Sequence, residues 1–367
     1  MNNILLITNK IEKVQSGGRE LLSKLNHDVL KDLHSSQLIV TELVRDPIRG
    51  IKSVVNAFRG HIDGINFISI QSIFSLISSH NIEVIFVDGS NLGAVVKLVK
   101  IRFPKVRICT FFHNVETKFF LGSLWSNRSV HALAVLIANY LAERKAVKYS
   151  NNIVCLSDRD SRLLHRLYGR FATHISPMAL EDKFTDSTSH IKHSRNGRYA
   201  LFVGSGFYAN RAGITWFCEQ VAPNLDFKTC IVGRGLEDLK VHLEQNGNVE
   251  LIGAVDSLSQ WYRDAHFVIA PIFDGSGMKT KVAEALMFGK KIVGTAEAFS
   301  GYEEIADQAG WLCASAGDFV AAMKAADSTI NCSFNSDLRT TYETIYSFEA
   351  ARARMSEIID ATYRSEQ

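Results

Sequence analysis

APIFDGSGMKTKVAEALMFGKKIVGT, residues Ala270 to Thr295, joins an apolar strand, a glycine-rich turn, two lysines, a carboxylate and a second strand. The run HFVIAPI (His266 to Ile272) is short and apolar, as in a buried parallel strand. Asp274-Gly275-Ser276-Gly277 follows, a turn flexible enough to aim backbone N–H groups at a ligand. The pattern then predicts a helix from about Thr280 to Phe288, with Lys279 and Lys281 in its first turn. The helix dipole favours acids at that end, so two cations there point to a bound polyanion. Glu284 lies one turn further on, Gly289 takes the C′ position that ends a helix, and KKIVGT returns as the next strand. The segment reads as a strand–loop–helix–strand anion site, the plainer alternative being an ordinary turn of a doubly wound domain.

Working outward, apolar strands alternate with helical periods along the whole chain. ILLIT (4–8), the INFISI region (65–70), EVIFVDG (83–89), VRICTFF (106–112) and NIVCLS (152–157) read as strands. Arg19 to Leu33, Leu92 to Arg102 and Ser129 to Lys148 read as helices between them. Asp182 to Arg198 is polar and poor in apolar residues, which predicts a linker at 185–198. A second series follows with YALFVG (199–204), FKTCIVG (227–233), VELIGA (249–254), HFVIAPI and KKIVGT. This alternation predicts an α/β chain of two Rossmann-like, doubly wound parallel-sheet domains, 1–184 and 199–367, with the last helix free to pack back on the first domain.

A length of 367 residues is about twice the usual domain of ~100–200, which agrees with two domains. No apolar run reaches 18 residues, and the best candidate, His131 to Ala142, suits a core or interfacial helix. MNNILLITNK lacks a basic leader region, so the sequence predicts a cytosolic chain. The six cysteines have no CxxC spacing, and most sit in apolar strands or helices, where they read as reduced core thiols. Charge is unevenly shared. Residues 1–190 carry 24 Lys and Arg against 16 Asp and Glu, whereas residues 191–367 carry 17 against 22. Lys97, Lys100, Arg102, Lys105 and Arg107 form the densest basic cluster, either a face for an anionic membrane or acceptor or simply a solvated surface. No motif or aromatic platform accompanies the charge, so no nucleic-acid partner is predicted.

The Ala270–Thr295 segment resembles the nucleotide-sugar signature of the retaining GT-B glycosyltransferases, glycosyltransferase family 4 (group 1). The matching residues are Gly275, Gly277, Lys279, Lys281, Glu284-Ala285-Leu286 and Gly289. FVGSGFYANRAGITWF (202–217), TCIVGRGLEDL (229–239) and VELIGAVDSLSQWYRDAHFVIAPI (249–272) follow in the family's order. The first half matches more faintly, at Ser16-Gly17-Gly18, FFHNVE (111–116), and Glu143 followed by NIVCLSDRD (152–160). The family's better-known form has a second Glu eight residues before the first, where this chain has Ser276. Backbone N–H groups, Ser276 or Asp274 would then hold the donor sugar's hydroxyls.

Smaller motifs stand beside it. Gly204-Ser205-Gly206-Phe207-Tyr208-Ala209 is formally the dinucleotide fingerprint GxGxxA, but the acidic residue expected at the end of the next strand is absent. A loop presenting Asn210 and Arg211 to a phosphate fits better. Asp158-x-Asp160 resembles the metal-binding DxD of the other glycosyltransferase fold, yet its place at a helix start favours capping. His190 and His193 have HxxH spacing within the linker, with no further ligand nearby. His113 ends the strand VRICTFF, at the carboxyl edge where ligands bind in doubly wound folds. No GxSxG elbow is present.

The resemblance implies two domains facing a cleft and the transfer of a sugar, with retention, from a UDP-, GDP- or other nucleoside-diphosphate sugar to a hydroxyl acceptor. It also implies a lipid-linked saccharide of bacterial surface polysaccharide (capsule, O-antigen or exopolysaccharide) as acceptor, met at the inner face of the cytoplasmic membrane by peripheral contact. Arg211, Lys279 and Lys281 would neutralise the diphosphate, so that no metal or other cofactor is required. Gly17, Gly18, Asn210, Asp274, Ser276, Gly277, Met278 and Thr280 complete the donor site. Glu284 would bind the ribose hydroxyls, and His113 the donor sugar or acceptor; His113, Lys281 and Arg211 are the expected catalytic set. Rival readings are a nucleotide-sugar epimerase of the same fold and a non-catalytic nucleotide-sugar-binding protein.

Overall fold

The computed structural model describes residues 3–12, 17–45, 51–184 and 198–364. The chain divides into two compact units, Met1–Ala179 with Phe348–Gln367, and Leu180–Ser347. Of the predicted linker only Arg198 is described; residues 185–197 lie outside the described residues with His190 and His193, as does Ser16. Residues 180–184 group with the second unit because their hydrogen bonds go there. Leu180 N–H donates to the Tyr346 carbonyl at 2.9 Å, and Asp182 pairs with Arg339.

Six parallel strands build the first unit: β1 (Asn3–Asn9), β2 (Leu38–Leu43), β3 (Ile82–Asp88), β4 (Arg107–Phe112), β5 (Asn152–Cys155) and β6 (His174–Ile175). They lie in the order β2-β1-β3-β4-β5-β6. The apolar runs of β1, β3 and β4 are buried on both faces, as parallel strands covered by helices require. The helix Phe348–Arg364 belongs to this unit. It buries Ala351, Met355, Ile358 and Ile359, pairs Arg352 with Asp32 on the helix Gly18–His34, and sets the Thr362 hydroxyl against the Asn152 side chain.

The second unit holds β7 (Tyr199–Val203), β8 (Lys228–Val232), β9 (Val249–Gly253), β10 (Phe267–Ala270), β11 (Ile292–Gly294) and β12 (Gly310–Leu312), in the order β12-β11-β10-β7-β8-β9. Strand order therefore reverses between β1 and β3 in one sheet and between β7 and β10 in the other. Beyond the carboxyl ends at such a reversal the two outgoing loops diverge and leave a crevice, where doubly wound folds take their ligands.

One predicted strand is corrected. The INFISI region is not a strand, because Phe67–Ser79 is helical. Asn66 and Ser69 form a reciprocal capping box that starts the helix, with the Ser69 N–H donating to Asn66 Oδ1 at 2.9 Å. Its place in the sheet is filled by Leu38–Leu43, whose half-exposed edge position gave LIVTEL no continuous apolar signature.

Candidate active site

At the β7/β10 reversal the structure gathers the residues of the glycine turn. Gly275 (φ +139°) and Gly277 (φ +68°) adopt backbone conformations that side-chain-bearing residues rarely tolerate. The following helix runs Thr280–Met287, with Lys279 at its N-cap and Lys281 in its first turn. Gly289 (φ +61°) ends it in a Schellman arrangement, its N–H reaching the Leu286 carbonyl at 2.9 Å while Lys290 N–H reaches Ala285 at 2.8 Å. Asp274 serves the turn itself: Oδ1 accepts from Gly275 N–H at 2.7 Å, and Oδ2 from the Tyr208 hydroxyl at 3.0 Å. Met278 is buried beneath Gly301. Ser276 Oγ is buried and has no hydrogen-bond partner among the described residues.

Lys281 is buried, 7% exposed. Its Nζ donates to Asn210 Oδ1 at 2.9 Å across the strand reversal and lies 4.4 Å from the centre of the Phe202 ring. A neutral amide and a ring hold this cation, and among the described residues it makes no ion pair. Burial pushes its ammonium down to about 7, against the opposing pull of Glu284. Glu284 is half-buried and accepts from the Tyr262 hydroxyl at 2.7 Å. Burial raises its carboxyl above the usual range, opposed by that hydrogen bond and by Lys183 and Lys281. Tyr262 in turn stacks on Phe288 with ring centres 5.4 Å apart.

Two of the expected cations already have partners. Lys279 Nζ meets Glu297 Oε1 and the Gly277 carbonyl, both at 2.9 Å. Arg211 grips Asp238 with both terminal nitrogens, at 2.8 and 2.6 Å, in an exposed pair. Neither Glu297 nor Asp238 was picked out by local pattern, since each lies beyond an intervening element. The GxGxxA turn also has a packing explanation. A Cβ on Gly206 would sit 2.2 Å from the Gly235 carbonyl oxygen, so that glycine lets two loops of the unit lie against each other.

In the first unit a polar cluster occupies the β1/β3 reversal and the end of β4. His113 follows β4, is 6% exposed, and sets Nε2 2.8 Å from Oδ1 of Asp88, the last residue of β3. His113 Nδ1 and Asn114 Oδ1 are buried without hydrogen-bond partners among the described residues. Arg19, in the first turn of the helix Gly18–His34, donates to Asp63 Oδ2 at 3.0 Å and lies 3.7 Å from Glu116 Oε1. Glu116 is buried; burial raises its carboxyl to about 7, with Arg19 opposing and Glu143 reinforcing the shift. Glu143 caps the helix Glu116–Asn127, accepting the N–H groups of Glu116 and Thr117 at 2.8 and 3.0 Å. Gly17 is the N-cap of its helix, and a Cβ there would meet nothing within 4 Å, so the fold does not itself demand glycine at that position. Asp88 was missed in the sequence, although it ends a predicted parallel strand just as His113 does. Asp158 and Asp160 lie in the first turn of the helix Asp158–Tyr168, whose N-cap is Ser157.

The basic cluster stands elsewhere. Lys105 and Arg107 lie at the amino end of β4, a six-residue strand, and so about 20 Å from its carboxyl end at ~3.3 Å per residue. Lys100 is turned inward, its Nζ donating to the carbonyls of Pro104 and Val106 at 3.1 and 3.2 Å and to Asn151 Oδ1 at 3.2 Å. The helices Glu116–Asn127 and Val130–Tyr149 instead expose Leu121, Trp125, Val130, Leu133 and Ile137, with Trp125 70% and Val130 86% exposed. No helix of the described residues is long and apolar enough to cross a membrane.

The shifted groups predict an unusual pH profile for folding. Lys281 has a folded pKa of about 7 against 10.5, so between these values the unfolded chain holds a proton that the folded chain lacks, and stability rises with pH. Lys290, pushed down to about 8 by burial, adds to that rise. Glu116 has a folded pKa of about 7 against 4.5, so the folded chain retains a proton that the unfolded chain has lost, and stability falls as pH climbs through that interval. Thermal melts are expected to show Lys281→Met flattening the alkaline rise and Glu116→Gln the acidic fall. Parallel Tm–pH curves for variants and wild type would refute both assignments.

Residues 197–327 match the family of glycosyl transferases group 1. No curated protein matches the chain. Among solved structures, the sucrose-phosphate synthase of Thermosynechococcus elongatus is similar over 100% of both chains, at 14% identity and a TM-score of 0.77. HepE of Anabaena in complex with UDP is similar over 98% of this chain and 100% of its own, at 11% identity and a TM-score of 0.69. The lipopolysaccharide outer core galactosyltransferase WaaB is similar over 98% of this chain and 99% of its own, at 13% identity and a TM-score of 0.65.

Proposed function

We propose that the chain, whose residues 197–327 match the glycosyl transferases group 1 and whose fold is the GT-B fold, transfers a sugar, with retention, from a nucleoside-diphosphate sugar to a hydroxyl of a lipid-linked saccharide. Lys281 carries the donor half of this reading. A buried lysine held by an amide and a ring makes no ion pair among the described residues, and the diphosphate of a nucleotide sugar supplies one. As the glycosidic bond breaks, charge builds on the leaving diphosphate, where a fixed cation and N–H donors lower the barrier. Gly277 and Thr280 open the helix beside Lys281, and Ser276 Oγ offers the unpartnered hydroxyl that a sugar or phosphate oxygen would engage. Arg211 and Lys279 are recruited from their present carboxylate partners. In the first unit, Gly17 and Gly18 start a helix whose unpaired N–H groups suit an anion. Glu284, with Tyr262 holding one oxygen, keeps the other for the ribose hydroxyls. Uracil is the favoured base because HepE, which shares the fold, binds UDP and UDP-glucose.

A thermal-shift screen of UDP, GDP, ADP and their sugars tests the donor. A ligand present at ~100 times its dissociation constant stabilises by ~2.7 kcal/mol, and failure of every nucleotide to raise Tm would sink the proposal. Donor incubated alone should keep its sugar unchanged in configuration, since an altered sugar without acceptor marks an epimerase. Glu284→Gln should weaken nucleotide binding while kcat at saturating donor holds, because a ribose contact is made in both ground and transition states. A kcat defect with unchanged donor affinity would remove Glu284 from the ribose.

The acceptor half is supported by surface character. Trp125, Leu121, Val130, Leu133 and Ile137 are exposed apolar residues on the helices that follow β4, with the exposed Arg128 between them in sequence. Such a combination suits peripheral contact with anionic lipid at the cytoplasmic membrane. Vesicles containing anionic lipid should retain the protein at low salt and release it as ionic strength passes ~0.15 M, where the screening length shortens to ~8 Å. Charge reversal at Lys97, Arg102, Lys105 and Arg107 is compared with Trp125→Ser and Val130→Ser to find which face docks. Indifference of the wild type to such vesicles would discard the membrane contact.

A further inference from the structure

The pairing of Asp88 with His113 lies outside the diphosphate and ribose contacts just described. Asp88 is 1% exposed and receives donors on both oxygens. Thr8 Oγ1 donates to Oδ2 at 2.9 Å, Asn26 Nδ2 donates to Oδ1 at 2.8 Å, and His113 Nε2 stands 2.8 Å from Oδ1. Ser23 adds a further side-chain hydrogen bond. Burial alone would raise this carboxyl, but His113, Ser23 and Asn26 outweigh it and hold it well below the usual range. An ionised carboxylate is an acceptor only, so the proton between the two residues resides on Nε2. In the Nε2–H tautomer the lone pair is on Nδ1, the ring nitrogen that is buried and has no partner among the described residues. Thr8 lies on β1 and Asp88 on β3, so their hydrogen bond spans the strand reversal and fixes the carboxylate to both sides of it.

We propose that Asp88 is a positioning residue for glycosyl transfer, holding His113 in the Nε2–H tautomer so that Nδ1 accepts a hydrogen bond from a sugar hydroxyl at the reacting centre. The inference rests on the reading that His113 touches the donor sugar or the acceptor. It separates two atoms of one ring, which substitutions can address individually. An asparagine at position 113 places its amide near the Nδ1 position, whereas a glutamine reaches toward that of Nε2.

Long-range 1H–15N correlation spectra of histidine-labelled protein read the tautomer without any ligand, and should show His113 as Nε2–H. In Asp88→Asn the amide can donate to Nε2 as well as accept from it, so the Nδ1–H form should gain population. Turnover is read as release of nucleoside diphosphate from whichever nucleotide sugar stabilises the protein in the thermal screen. Asp88→Asn should lower kcat by roughly 10–100-fold, the range for partners that orient a reacting group, with donor KM nearly unchanged. His113→Asn should retain more kcat than His113→Gln. A wild-type Nδ1–H tautomer, or a folded Asp88→Asn protein with normal kcat while His113→Ala is inactive, overturns the proposal and leaves the reading of His113 intact. Full activity in His113→Ala removes that reading itself. If Asp88→Asn does not fold, the wild-type spectrum and the Asn–Gln order at position 113 decide the matter.

Discussion

Lys281→Ala is expected to lower kcat by ~10²-fold or more, the scale of losing one preorganised group that meets charge developing in the transition state. The loss should exceed any effect on folding. Removing a buried ammonium with no ion-pair partner among the described residues relieves a desolvation cost even as it leaves a cavity, so the unliganded variant should melt close to the wild type or above it. A second readout separates charge from shape. With the free lysine titrating at about 7, a bound diphosphate should pull a proton back onto it. Calorimetry at pH 8 in buffers of differing ionisation enthalpy should therefore show proton uptake on nucleoside diphosphate binding, absent in Lys281→Met. Normal turnover in Lys281→Ala, or buffer-independent heats in the wild type, would take Lys281 out of the phosphate site.

His113→Ala should reduce transfer at least as severely while nucleoside diphosphate binding stays nearly intact. The contacts proposed for ribose and phosphate lie mainly in the unit Leu180–Ser347, and His113 lies in the other. Its deletion also strands Asp88, a buried carboxylate that would lose one of its donors. Some loss of Tm is therefore expected, and His113→Asn provides the comparison that keeps an acceptor in place. Joint loss of nucleotide affinity and of folding would assign the histidine to the fold.

The donor turn was legible because its chemistry is compressed into one stretch of chain. Positive-φ glycines, the helix they open, its lysine and carboxylate and its terminal Gly289 are neighbours in sequence, and each leaves a local signature. The alternation of apolar strands gave the two parallel sheets for the same reason. What stayed hidden was pairing at a distance. Asp88 finds His113 across 25 residues and Thr8 across 80, because parallel strands can meet only after a helix has intervened. Lys279 with Glu297 and Arg211 with Asp238 were invisible on the same grounds, and those partners decide which cations are free in the unliganded chain. The misread INFISI segment is a different failure. Its apolar spacing suits a strand, and the capping box at Asn66 and Ser69 was the overlooked signal.

The helix Phe348–Arg364 also imposes an order on the making of the chain. It packs in the unit that begins at residue 1, yet it is the last helix to be synthesised among the described residues. The first unit must therefore leave the ribosome with the helix Gly18–His34 and the flank of its sheet short of a partner helix, and wait while the whole of Leu180–Ser347 is translated. At ~5–20 residues per second that interval lasts roughly 10–40 s. During it the second unit can close first, reversing the usual amino-to-carboxyl order, and the early half is a client for chaperones that shield exposed apolar surface.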